Sequence, residues 1–154
     1  YNRAYILNKL KRTPEEHFAW LAYLDHYPAG AFARRAADRL NLLKDYSYQN
    51  HQLGIRTVTL TDIGFIPFTS QIEPYALPSL DLVGASVANM PSGVLNILVF
   101  QLNNRKLAKN RAIAIRSYLY KKFPPLRAGK RIRLSWFDSP EKRIVKGKTL
   151  VINQ

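Results

Sequence analysis

Residues 95–119 read LNILVFQLNNRKLAKNRAIAIRSYL, and the fold is decided there. Leu95–Phe100 is a short apolar run with the length and branching of a buried strand. Gln101–Lys106 is a polar break. From Leu107 the period changes: Ala108, Ala112, Ile115 and Leu119 share one helical face, with Lys109 and Arg116 away from it. Upstream, Pro91-Ser92-Gly93 turns the chain into this strand, and Pro74–Met90 is helical with Leu77, Leu80, Val83 and Val87 on one side. Arg56–Leu60 alternates and is β-branched, which predicts a strand continuing into Thr61-Asp62-Ile63-Gly64-Phe65. Pro67 must end that strand or hold it at an edge. Downstream, Pro124-Pro125 stops the helix that covers 107–122, Arg131–Phe137 alternates as a strand, and Lys148–Ile152 is a last one. The order β-α-β-α-β-β predicts an α+β sandwich, a mixed sheet with helices on one face.

The first third of the chain has a different texture. Thr13-Pro14-Glu15-Glu16 is a helix start, with Thr13 able to cap, Pro14 in the first turn and two acids at the positive end of the dipole. That helix would carry Phe18, Trp20, Leu21 and Leu24; Tyr27-Pro28-Ala29-Gly30 breaks it. A second helix is predicted over 31–43, with Phe32, Ala36, Leu40 and Leu43 on one stripe, and Tyr1–Leu10 is a further short helix. Lys44–Gly54 is polar and reads as a linker. The expected organisation is a helical hairpin at 1–46, a linker at 47–55 and a second domain at 56–154.

With 154 residues and 47% hydrophobic content the chain is globular. No apolar run approaches the ~18 residues that span a bilayer. Zero cysteines exclude disulfides, thiol catalysis and cysteine-ligated metals, and fit an oxidising periplasm. The chain starts at Tyr1 and its one methionine is Met90, so a processed product is expected, with any signal peptide or lipid-attachment cysteine upstream. The net charge of +14 is concentrated at the C-terminal end: residues 101–154 hold fifteen Lys/Arg against two acids. No acid lies between Asp81 and Asp138. Such asymmetry points to an anionic partner, and predicts that Arg105, Lys106, Lys109, Lys121, Lys122, Arg127 and Lys130 are exposed. Surface lysines that merely maintain solubility are the alternative.

Two resemblances add to this reading. Trp20-x-x-Tyr23-Leu24-x-x-Tyr27-Pro28-x-Gly30-x-Phe32-Ala33-x-x-Ala36-x-x-x-Leu40 is similar to a single tetratricopeptide-like hairpin. One such unit cannot bury both faces alone, so it must dock on the rest of the chain, on further repeats or on a partner. Leu107-Ala108-Lys109-Asn110-Arg111-Ala112 resembles the Leu-Ser-x-x-Arg-Ala signature of OmpA-like, peptidoglycan-associated domains. Thr61-Asp62-Ile63-Gly64-Phe65, the Pro67–Pro74 passage, Leu80–Pro91 and Arg131–Phe137 follow that family's order over about residues 56–154. The resemblance implies the β-α-β-α-β-β sandwich and a place in the bacterial envelope. It also implies a site in which a Thr-Asp pair and the arginine hold the zwitterionic head of diaminopimelate, carboxylate to ammonium and guanidinium to carboxylate. Arg111 matches the arginine, but Phe100-Gln101 stands near the place of Thr-Asp, the loop is shorter and it lacks glycine. Lys146-Gly147-Lys148 is at best an echo of the family's late Asn-Arg-Arg segment. Arg111 therefore has two readings: a holder of a carboxylate or phosphate, or a partner of backbone carbonyls that packs helix to loop.

Other chemistry has little support. His17, His26 and His51 show no metal-ligand spacing, so no metal and no cofactor are expected. Gly147-Lys148-Thr149 is the tail of a P-loop without its first glycine, which is Lys142 here. Asp62, Glu73 and Asp81 are too scattered for an acid–base pair, and Ser135 has no elbow glycines. The chain is thus expected to be no enzyme. It reads as an OmpA-like structural or docking module of a periplasmic, outer-membrane-associated assembly, of the kind lipoproteins form, with a degenerate peptidoglycan site. Its expected partners are other envelope proteins and, weakly, peptidoglycan. A working peptidoglycan anchor is one alternative. A nucleic-acid binder is the other, drawn from Tyr118, Tyr120, Trp136 and Phe137 interleaved with basic residues.

Overall fold

The computed structural model describes residues 1–145 and 147–152. The chain divides into two compact units, 1–62 and 63–154, and its class is α+β.

The first unit contains α1 (Asn2–Lys9), α2 (Thr13–His26), α3 (Ala33–Leu42), β1 (Tyr48–Leu53) and β2 (Arg56–Thr61). Trp20, Leu24, Ala33, Ala36, Ala37 and Leu40, joined by Ala4 and Tyr48, form its core. The α2–α3 hairpin is flanked by α1 on one side and by the β1–β2 pair against α3 on the other, so both helices find cover within the unit. Thr13 is the first residue of α2 rather than its cap: the chain reverses two residues earlier, at Lys11 in the left-handed region (φ 56°), and Arg12 takes the cap position. Phe18 and Phe32, expected on apolar faces, are exposed.

The expected linker at 47–55 contains β1, which pairs antiparallel with β2 from Tyr48↔Thr61 to Leu53↔Arg56. The two-residue loop Gly54-Ile55 starts at φ 61°, which glycine reaches without strain. Polar bonds replace apolar patterning: Asn50 Oδ1 accepts from Thr59 Oγ1, and Asn50 Nδ2 donates to Arg34 O and Asp38 Oδ1. The Tyr48 hydroxyl donates to Asp25 Oδ1 at 2.9 Å. Burial, then that bond and the Asp25 charge, push its pKa up to about 12. A raised folded pKa means stability that is whole below the unfolded value near ~10 and is lost as pH rises toward 12. A spectrophotometric titration is expected to show Tyr48 as a late tyrosinate whose ionisation accompanies loss of first-unit structure, beside Tyr118, which its hydrogen bond to Asp81 also raises; nine tyrosines ionising together in the ordinary range would contradict this.

The second unit opens with the isolated bridge Phe65↔Ile72 and a 3-10 turn, Pro74–Ala76, that leads into α4 (Leu77–Ala88). Then come β3 (Leu95–Phe100), α5 (Arg105–Lys122), α6 (Pro124–Ala128), β4 (Ile132–Phe137), β5 (Glu141–Val145) and β6 (Lys148–Ile152). β3 and β4 are parallel, from Leu95↔Ile132 to Phe100↔Phe137, and α5 packs on both. Asn104 caps α5 by accepting from Leu107 N. The small Ala108 and Ala112 are fully buried and bring α5 close to its neighbours.

A single mixed sheet was expected; among the described residues there are three two-stranded sheets instead. Arg56–Thr61 is taken by β1 in the first unit. β5, unforeseen, pairs with β6 across a turn in which Gly147 has φ 76°. Hairpin pairing closes a short loop and costs less chain entropy than joining a distant strand.

Gly84 on α4 lies against Phe123: an added Cβ would fall 2.3 Å from Phe123 Cε2 and 3.1 Å from Leu119 Cδ2. Gly84→Ala gains ~1 kcal/mol of helix propensity but forces apart a tight helix contact, costing roughly 1–3 kcal/mol. A net loss of about 1 kcal/mol is expected in urea denaturation; a gain in stability would show that the ring swings away freely.

Candidate functional site

The carboxyl ends of β3 and β4 and the N-terminal half of α5 bring the family-derived position into three dimensions. Arg111 sits in the second turn of α5 and turns inward. Its Nε donates to Thr69 O at 3.0 Å, its Nη1 donates to Gln101 Oε1, and the guanidinium lies over the Phe65 ring at 4.7 Å. Burial lowers its pKa, although an arginine stays charged throughout the working range. Gln101, near the place of the family's carboxylate, thus closes directly onto the arginine. Phe100 stacks on Phe137 with ring centroids 4.8 Å apart. Of the two readings of Arg111, this geometry matches the packing role: helix, strand end and the 63–73 segment are clasped by one side chain.

Asp138, remote in sequence, follows β4, and Asn103 N donates to its carbonyl at 3.0 Å. The 101–104 turn therefore has an acidic neighbour that sequence distance concealed. Glu141 is raised in pKa by burial, partly offset by Arg143 at 3.7 Å.

Arg105, Lys106, Lys109, Lys121, Lys122, Arg127 and Lys130 are all exposed. They are not equivalent. Lys122 Nζ pairs with Asp81 and lies near Tyr118, whose hydroxyl donates to Asp81 Oδ1 at 2.7 Å. The hydrogen bonds from Lys122 and then Tyr118 hold the Asp81 carboxyl below its ordinary value. Lys109 covers the Trp136 ring at 5.5 Å. Tyr118, Trp136 and Phe137, three of the four aromatics that suggested base stacking, are thus engaged within the chain.

Two of the histidines make contacts within the first unit. His17 Nε2 meets Asp45 Oδ2 at 2.6 Å and His26 Nδ1 meets Ala22 O at 2.8 Å. No group of three metal-ligating side chains occurs among the described residues. Gly147-Lys148-Thr149 enters strand β6, not a helix.

Sequence reasoning missed Glu16 as a centre. It is 1% exposed, and its carboxylate receives Arg39 Nε at 2.6 Å, Trp20 Nε1 at 3.0 Å and Asn8 Nδ2 at 3.0 Å. The four-residue step from Glu16 to Trp20 was the available signal. Sequence reasoning also read Tyr120 only as an aromatic among basic residues and missed Ser117; with Arg116, both join Lys121 and Arg127 around a concavity at the far end of α5.

Compared with protein-family models, with curated proteins and with solved structures, the chain matches none.

Proposed function

We propose that the chain is a non-catalytic docking module of a bacterial cell-envelope assembly, built on a divergent OmpA-like core with a decayed wall-binding site. The parallel β3–α5–β4 unit, with the Leu107–Ala112 segment on its helix, supports the core assignment. The observation that carries the decayed site is the internal capture of Arg111 by Thr69 and Gln101. A diaminopimelate carboxylate would have to displace both. The ligand's ammonium would meet Arg105 and Lys106 nearby, with a losing balance where one partner of a desolvated charge pair is missing. The exposed cations of α5 and α6 then serve as a face for acidic surfaces of other envelope proteins, through contacts that salt screens. The place in the cell is periplasmic and outer-membrane associated.

Fractionation of cells that produce the full protein tests the location: recovery with the outer-membrane fraction is expected, and recovery in the cytosol overturns the reading. Purified sacculi test the site. Weak retention is expected, indifferent to free diaminopimelate and to Arg111→Ala. Tight retention abolished by both would show an intact wall site. Because Arg111 clasps three segments, Arg111→Ala is also expected to lower stability in urea by about 1–2 kcal/mol, through loss of charge-assisted bonds to Thr69 and Gln101.

A further inference from the structure

At the C-terminal end of α5 a concavity of about 510 Å³ is lined by Arg116, Ser117, Tyr120, Lys121 and Arg127. The spacing explains its formation. Arg116 and Tyr120, and Ser117 and Lys121, are helical neighbours four apart, so two adjacent ridges of α5 form one wall. Pro124-Pro125 ends α5 and starts α6, which brings Arg127 across as the opposite wall. No lining residue is acidic. Asp81, the acid that α4 brings to this half of α5, is held by Tyr118 and Lys122, which are not among the lining residues.

Cations in a last helical turn can simply offset the helix dipole. That explains Lys121 and Lys122. It does not explain Arg116, about one and a half turns earlier, or Arg127, which belongs to another helix. The geometry points to a binding site for a phosphate monoester, in which Arg116, Arg127 and Lys121 supply the charge. Two guanidinium forks suit the tetrahedral oxygens of a dianion, and the Ser117 and Tyr120 hydroxyls add donors. A volume of about 510 Å³ exceeds a bare phosphate and lies in the range of small-ligand pockets. It leaves room for the glycerol or sugar that carries the phosphate, on a lipid headgroup or on a free metabolite. The five lining residues are confined to one end of α5 and to α6 rather than strung along the surface, which argues against a nucleic-acid strand. This rests on the reading of α5 and α6 as a face for anionic partners, and narrows that face to one place and one chemistry.

The test uses the whole chain and two probes. Inorganic phosphate is titrated while backbone amide resonances are followed. Vesicles of phosphatidylcholine containing phosphatidic acid, or containing phosphatidylglycerol as a phosphodiester comparison, are sedimented with the protein. Expected are saturable shifts centred on Ser117, Tyr120 and Lys121. In R116Q/R127Q, with native circular dichroism, phosphate affinity falls at least about tenfold, the loss of one charge-assisted contact. R105Q/K106Q, at the opposite end of α5, leaves it within about twofold. If R116Q/R127Q does not fold, exposed Arg127→Gln and Lys121→Gln are used singly. Preference for phosphatidic acid vesicles that R116Q/R127Q removes assigns the phosphate to a headgroup; phosphate binding without vesicle binding assigns it to a free ligand. Shifts spread equally over both ends of α5, equal loss in both double variants, or no response to either probe would overturn the site. The envelope reading stands or falls separately, on fractionation.

Discussion

Glu16→Ala is expected to destabilise the first unit by about 3 kcal/mol and to unfold much of it near physiological temperature. Glu16 joins three helices: Asn8 from α1, Trp20 from α2 and Arg39 from α3 all donate to its carboxylate. Removing one partner of a buried pair costs roughly 3–5 kcal/mol because the other charge is stranded. The lower end applies, since Arg39 is 31% exposed and can be rehydrated. Glu16→Gln keeps the acceptor for Trp20 and Asn8 and is expected to lose about half as much. Urea titrations followed by Trp20 fluorescence in a Trp136→Phe background read this directly. A loss under about 1 kcal/mol for Glu16→Ala would mean that the network is decorative.

The same carboxylate gives the unit an acid limit. Burial alone would push Glu16 up, but hydrogen bonds from Arg39, Trp20 and Asn8, with the Arg39 charge, hold it below its ordinary value. Asp45 behaves likewise: burial raises it, and the Ser47 bonds and His17 more than reverse that. Carboxyls with depressed folded pKa values contribute stability that is present above about pH 4 and lost as pH falls through the folded values. First-unit stability is therefore expected to decline steeply below about pH 4. In Glu16→Gln the decline should be shallower; an identical slope would clear Glu16 of the effect.

Leu119→Ala is expected to cost the second unit about 3 kcal/mol. The side chain is 0% exposed on the buried face of α5, beside the Gly84–Phe123 contact. Leucine-to-alanine changes at such sites lose transfer free energy and leave a cavity, together roughly 2–5 kcal/mol. Leu98→Ala, at a residue 54% exposed on β3, should stay within about 0.5 kcal/mol. Trp136 fluorescence in a Trp20→Phe background separates the two. Equal effects would contradict the burial pattern of this unit.

What the sequence disclosed follows from where apolar side chains repeat. α5 was legible because Ala108, Ala112, Ile115 and Leu119 recur at helical spacing, and β3 because it is an unbroken apolar run. β1 was not: Tyr48, Asn50 and Gln52 alternate with Gln49, His51 and Leu53, so no apolar face announces it. Its strand character depends on bonds to α3 that only the fold supplies: Asn50 donates to Arg34 O and Asp38 Oδ1, and Asn41 of α3 donates to Tyr48 O. Gly54-Ile55, a two-residue hairpin loop, was the readable clue. Sheet membership was illegible for a related reason, since a β-branched strand such as Arg56–Thr61 suits any partner of compatible length. At the candidate site, Arg111 was found by motif, but its capture by Gln101 and Thr69 depends on a loop conformation that no spacing encodes. The concavity needed α6 folded back beside α5 before Arg127 could join Arg116.

The parallel pairing of β3 with β4 also has a kinetic consequence. Among the described residues, every other strand pairs with its immediate neighbour in sequence, across short turns. Such local closures take about microseconds. β3 and β4 meet only after the chain between Phe100 and Ile132 has collapsed through α5 and α6. That closure is the most non-local strand pairing among the described residues of the second unit and should set its folding rate. Substitutions along the α5 face, Ile115→Val for instance, are then expected to slow refolding. Those in the β5–β6 hairpin, such as Leu150→Ala, should mainly hasten unfolding. Stopped-flow chevrons that assign the slow refolding to the hairpin instead would reverse this order of assembly.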